Sequence, residues 1–218
     1  KDWFMLSADY SFGHALENDV SAAVKANGGK VVRGVRHPFP SNDFSSFMLQ
    51  AQASGAKVIS LNNAGTDTTN AILSASEFGI TQSGQILAGM VVFISDIRSL
   101  TLEKAQGLQF TKAWYYGLND ETLAWANKFK QRTGKMPTMV HAGLYSSTRH
   151  YLQAVKDVGT DDTDKVKQKM RETRVNDVFA KDAYIREDGR MVHDMYLVRV
   201  KSPAEAQHED DYLEVIRT

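Results

Sequence analysis

The six histidines, His14, His37, His141, His150, His193 and His208, are the side chains best suited to bind a metal or move a proton. Their spacing supports neither role. None stands in an HExxH pattern, and no two lie four residues apart. His141 and His150 share a predicted helix but are nine positions apart, about 180° around it, so they cannot hold one ion. Cysteine is absent, which removes thiolate metal sites, disulfides and cysteine nucleophiles. The acidic runs Asp161-Asp162 and Glu209-Asp210-Asp211 lack the ligand order of a calcium loop and read as solvated acidic turns. No GxGxxG, GxxxxGK[ST] or GxSxG occurs, so dinucleotide, phosphate-loop and serine-hydrolase chemistry find no support. No nucleophile can be paired with a base. The residues favour binding over catalysis, with no catalytic residue, metal or cofactor assigned.

The polar and aromatic residues that remain fall in three short stretches. Each follows an apolar run and precedes a helical pattern. In WFMLSADYSFGHA, Trp3 to Leu6 read as a buried strand and Phe12, Leu16, Val20 and Val24 fall at helical spacing. The loop between them carries Asp9, Tyr10 and Ser11, and Asp9 or Ser11 is placed to cap the helix. The second stretch is Asn62-Asn63-Ala64-Gly65 after the strand KVISL. The third is Phe93-Ile94-Ser95-Asp96 after QILAGMVVF. A polar loop at a strand end is equally good turn chemistry, so each residue stands between ligand contact and plain turn. Trp114-Tyr115-Tyr116 reads equally as a ligand platform or a buried strand.

The elements that position these loops repeat as strand then helix about four times before residue 97. Strands are predicted over 3–6, 30–35, 57–61 and 85–93, with helices from Phe12, over 44–53 and over 68–78. Phe47, Leu49 and Ala51 are placed on the buried side of the second helix. His37 to Asp43 is a loop stiffened by Pro38 and Pro40. Short connections and wholly apolar strands predict an α/β fold with a doubly wound parallel sheet, whose strand ends gather ligand loops at one edge. Phe110 to Tyr116 is strand-like. Helices follow over 121–133, 138–158 and 161–173, the second with a stripe of Val140, Leu144, Tyr151, Leu152 and Val155. A hairpin over 183–201, turning at Asp188-Gly189, and a strand over 212–217 close the chain.

Basic and acidic residues number 26 each, so the formal charge is zero and no basic face for nucleic acid or anionic lipid is expected. No apolar run approaches the ~20 residues of a membrane span. Only Lys1 and Asp2 precede the first strand, and the abrupt start reads as that of a mature fragment or of a chain cut from a longer one.

The ordered set WFMLSADYSFG, GGKVVRGVRHPFPSNDFSSFM, AKVISLNNAG, AWYYGLNDETLAWANKFKQRTGKMPTMVHAGLYSSTRHYLQAV and IREDGRMVHDMYLVRV resembles type I periplasmic solute-binding proteins of the branched-chain amino acid and aromatic acid transport class. The resemblance covers essentially the whole chain. It implies two α/β lobes joined by hinge strands that close on a ligand. Residues 1–118 and 178–218 would form lobe 2. Residues 119–177 would be helices of a lobe 1 that lacks its N-terminal part, leaving apolar helix faces exposed. By position, Tyr10, Phe12, Asn62, Asn63, Ala64, Phe93 and Asp96 would contact a small-molecule carboxylate in the interlobe cleft. Asp96 would meet the ammonium of an amino acid, whereas an aromatic acid would have no use for it. The implied role is a periplasmic receptor that hands its ligand to the permease of an ABC importer. A cytoplasmic ligand-sensing regulator of the same fold is the alternative.

Overall fold

A computed structural model describes all residues from Lys1 to Thr218. The chain divides into two compact units, one of residues 1–111 and 197–216, the other of residues 112–196 and 217–218.

The first unit is built on strand–helix repeats. The strands are β1 (Asp2–Ala8), β2 (Lys30–His37), β3 (Val58–Asn62), β4 (Ile86–Gly89) and β5 (Gln109–Lys112), and β8 (Tyr196–Val200) and β9 (Leu213–Arg217) complete the sheet. Its helices are α1 (Ser11–Ala26), α2 (Ser45–Ala53), α3 (Thr66–Glu77), α4 (Ile94–Leu100) and α5 (Leu102–Ala105). The sheet runs β2-β1-β3-β4-β5-β8-β9, and the β1–β2, β1–β3, β3–β4 and β4–β5 pairs are parallel. Parallel strands joined by helices are covered on both faces, which explains why every residue of β3 is buried. Chain order reverses direction across the sheet between β1 and β3. At that switch point the connections leaving the two strands diverge to opposite faces of the sheet.

Helix α1 lies against β1 with Gly13 buried at the contact. Phe12 and Val20 are less enclosed than their helical spacing predicts, and Val24 anchors the far end. In α2 the buried residues are Met48 and Ala51, with Phe44 at its N-cap, while Leu49 faces solvent. The helix therefore packs through a face rotated from the one expected.

In the second unit, α6 (Asp120–Thr133), α7 (Met139–Val158) and α8 (Thr163–Glu172) accompany a small antiparallel hairpin, β6 (Tyr184–Ile185) with β7 (Met191–Val192). Asn119, Thr138 and Asp162 cap the three helices through side-chain oxygens, and Gly134 and Gly159 end α6 and α7 in the left-handed region. The hairpin is shorter than expected, because residues 196–200 join the main sheet instead.

Strand β5 stops at Lys112, so Trp114, Tyr115 and Tyr116 form no strand. All three are buried. Trp114 Nε1 donates to Val178 O at 2.9 Å and the ring meets Trp125 edge-on at 5.5 Å. These bonds, with the Val175–Ala183 bridge, tie residues 112–118 and 178–196 into the second unit. Helix α7 buries its small residues Ala142, Ser146 and Ala154 and exposes Val140, Leu144, Tyr151 and Leu152. The large residues of its apolar stripe are thus exposed.

Candidate functional site

At the carboxyl edge, Asp9 N donates to His37 O at 2.9 Å, tying the end of β1 to the end of β2. Two connections are brought together by that bond. Tyr10 stacks on Phe39 with centroids 4.4 Å apart and planes 23° from parallel, and Phe12 lies 5.9 Å from Tyr10. Phe39 is 54% exposed and Phe12 38% exposed, so this ring cluster presents apolar surface to solvent. An aromatic cluster beside a sheet switch point has the shape and chemistry of a planar-ligand platform.

Tyr10 is the N-cap of α1, in an extended conformation, and no side chain caps the helix. Asp9 does not perform the expected capping. Its Oδ1 lies 2.8 Å from His14 Nε2 instead. Ser11 begins the helix, and the first turn holds no acid. The first backbone N–H groups of α1 thus receive no side-chain cap at the ring cluster, while the Asp9 carboxylate lies beside that turn against His14.

Asn62 and Asn63 are fully buried, and their side chains bond within the protein. Asn62 Oδ1 accepts from Ser60 Oγ at 2.8 Å while its Nδ2 donates to Ser7 Oγ at 3.1 Å, so it crosslinks β1 and β3 within the sheet. Asn63 Nδ2 lies 3.2 Å from His37 Nε2, and its Oδ1 accepts from Thr68 Oγ1 at 2.7 Å. Ala64 is half-buried at the start of the β3–α3 connection. Phe93 and Asp96 belong to the β4–α4 connection, two strands from β1. Phe93 N donates to Asp96 Oδ2 at 2.8 Å, so that carboxylate closes the first turn of α4.

Of the residues expected at the site, the structure brings Tyr10 and Phe12 together. Phe39 joins them from a loop given no site role from sequence. The only signal was its placement between two prolines in HPFPS. Nearby, the Asp43 carboxyl is held below the usual carboxylate range by the Ser45 backbone N–H, which steadies the start of α2.

No cluster of three metal-binding side chains occurs. The histidines serve local structure: His141 Nδ1 accepts from Thr138 N, and His150 Nε2 lies 2.9 Å from Met170 O. Asp210 and Asp211, expected as a solvated turn, pair with Arg98 and Lys201. In the second unit a hollow of about 360 Å³ is lined by Tyr151, Val166, Met170 and Ile185. Its two cations are engaged, Lys167 with Asp164 and Arg171 with Glu187 O.

A family model for periplasmic binding proteins matches residues 1–207. The chain belongs to the periplasmic binding protein family. That family is one of binding proteins rather than enzymes. Among solved structures, a periplasmic binding protein from Burkholderia mallei is 47% identical over 100% of this chain and 57% of its own, with a TM-score of 0.90. A branched-chain amino acid ABC transporter periplasmic ligand-binding protein from Burkholderia xenovorans is 36% identical over 100% of this chain and 58% of its own, with a TM-score of 0.93. A solute-binding protein from R. palustris in complex with 4-hydroxybenzoate shares the fold at 21% identity and a TM-score of 0.82, over 100% of this chain and 59% of its own. This chain thus spans less than two thirds of each. No curated protein matches it. No helix is long and apolar enough to cross a membrane.

Proposed function

We propose that this chain is part of an extracytoplasmic solute-binding protein that holds a small carboxylate and delivers it to the permease of an ABC importer. The observation that carries this reading is the Tyr10–Phe39–Phe12 cluster beside the uncapped N-terminus of α1. Rings supply a face for an apolar or aromatic body, and the helix end supplies partial positive charge for its carboxylate. The first unit corresponds to lobe 2, and α6 to α8 belong to lobe 1. The part of the relatives that this chain does not span would close over the carboxyl edge of the sheet.

Aromatic acids are favoured over amino acids. An amino acid needs an acceptor for its ammonium, and the candidate for it, Asp96, spends an oxygen on Phe93 N. An aromatic acid needs only ring faces and donors for its carboxylate, both of which the β1–α1 and β2–α2 connections supply. A relative that carries 4-hydroxybenzoate agrees with that choice, and a relative described as a branched-chain amino acid transporter component keeps the other in view.

Calorimetric titration of the full-length protein with 4-hydroxybenzoate and with leucine tests the reading. Saturable binding of the benzoate with little heat from leucine supports it. Leucine binding alone would move the site toward an amino acid, and silence from both across related carboxylates would favour the cytoplasmic regulator with another ligand.

A further inference from the structure

Beneath the ring cluster lies a buried polar chain for which ligand binding gives no direct use. His37 Nδ1 is 2.8 Å from Pro38 O, which can only accept, so the imidazole carries its proton on Nδ1. Nε2 is then an acceptor for Asn63 Nδ2, and Asn63 Oδ1 accepts from the Thr68 hydroxyl. The His37 acceptor on one side and the Thr68 donor on the other fix the Asn63 amide orientation. Asp67 stands beside it in the first turn of α3, 3% exposed. Its Oδ1 accepts from Ser41 N at 3.1 Å, while Oδ2 has no hydrogen-bond partner and sits 3.7 Å from His37 Nδ1. Asn70 Nδ2 adds a bond to Ser41 O at 3.3 Å. Helix α3 thus grips both polar groups of the Ser41 backbone, three residues after Pro38.

A buried carboxylate with an unpaired oxygen costs stability, so its position calls for a compensating role. The segment it holds is the one that bears Phe39. Residues 38–42 are exposed or half-buried and have little apolar anchorage of their own before Phe44.

We propose that Asp67 and Asn63 are positioning residues, which clamp the 38–42 connection onto α3 through Ser41 and His37 and so set the Phe39 ring against Tyr10. Asp67 acts from the far end of the segment and Asn63 from its root at His37. Neither touches the ring. The ligand consequence rests on the function proposed above, since the stacked pair is the face offered to the solute. The clamp itself does not.

Backbone amide exchange of the full-length protein without ligand tests the clamp, with the Tyr10 ring-proton shifts as a second readout. Asp67→Ala removes the acceptor and is expected to speed exchange of the Ser41 amide about tenfold while β1 and β3 amides hold. The ring-current shift of Tyr10 should fall with it. Asp67→Asn keeps an oxygen for Ser41 N and should restore both. Thr68→Val, nearly the same shape, loosens the Asn63 end if Asp67→Ala does not fold. Unchanged Ser41 exchange with an unchanged Tyr10 ring shift in Asp67→Ala, or in Thr68→Val where that variant stands in, would overturn the clamp. So would a loss of protection spread evenly over the sheet, since that reports a structural residue only. Titration with 4-hydroxybenzoate is run separately. A wild type that binds nothing removes the proposed ligand and leaves the exchange result standing, whereas loosened exchange with weakened benzoate binding supports both.

Discussion

A Cβ added to Gly13 would sit 2.1 Å from the carbonyl oxygen of Ala8. Helix α1 therefore meets the end of β1 with no room for a side chain between them, and this close approach aims the helix N-terminus at the edge where Tyr10, Phe12 and Phe39 gather. The obstacle is backbone, so no rotamer change relieves it.

Gly13→Ala should destabilise the protein by about 2–3 kcal/mol, the scale of forced overpacking. It should also weaken carboxylate binding beyond what the stability loss explains, because α1 must back away from β1. Urea denaturation measures the first effect and titration the second. A variant of wild-type stability would mean that α1 can rise from the sheet without strain.

Phe39→Ala and Phe12→Ala should each weaken binding of 4-hydroxybenzoate, by about 1–3 kcal/mol for loss of a ring contact covered by ligand. Both rings are partly covered and touch or approach Tyr10, so each variant should also lose about 1–2 kcal/mol of stability. Titration and thermal melts of each variant separate the two effects. An affinity untouched by Phe39→Ala would take the β2–α2 connection out of the site.

How far the sequence reaches is clear from these same residues. The alternation of apolar runs with helical spacing placed β1 to β4 and α1 to α3 within a few residues, because parallel strands buried on both faces leave a continuous apolar signature. The FTKAWYY segment misled, since its aromatic character comes from packing Trp114 against Val178 and Trp125, partners set by tertiary structure. In the candidate ring cluster, Tyr10 and Phe12 are legible from their place before a helix. Asn62 and Asn63 stand at a strand end like ligand residues, yet their partners Ser7 and His37 lie 55 and 26 positions away. Nothing local in a sequence says which way a polar side chain turns. Phe39 needed knowledge that β2 lies beside β1, which only the sheet order supplies.

Asp96→Ala should cost about 1 kcal/mol of stability, as the loss of a helix cap does, and should leave the ratio of benzoate to leucine affinity unchanged. The reason is the bond from Phe93 N, which gives the carboxylate a structural role at the start of α4. Denaturation and paired titrations check this. Selective loss of leucine binding would return Asp96 to the pocket as an ammonium acceptor.

Arg199 in β8 grips two carboxylates, Glu205 at 2.7 Å and Glu214 at 2.6 Å. The guanidinium bond, joined by the backbone N–H and hydroxyl of Ser202, holds the Glu205 carboxyl down to about 2, from an ordinary 4.5. A depressed carboxyl favours the folded state while it is ionised there. Its contribution is complete above the ordinary value and disappears as pH falls from about 4.5 to about 2. Glu205→Gln removes that titration, so its stability should fall less steeply than wild type across the same window and converge with it near pH 2. Denaturant midpoints taken at half-unit pH steps decide the matter. Parallel curves for the two proteins would show that the exposed pair is loosened by solvent and that Glu205 titrates alike in the folded and unfolded chain.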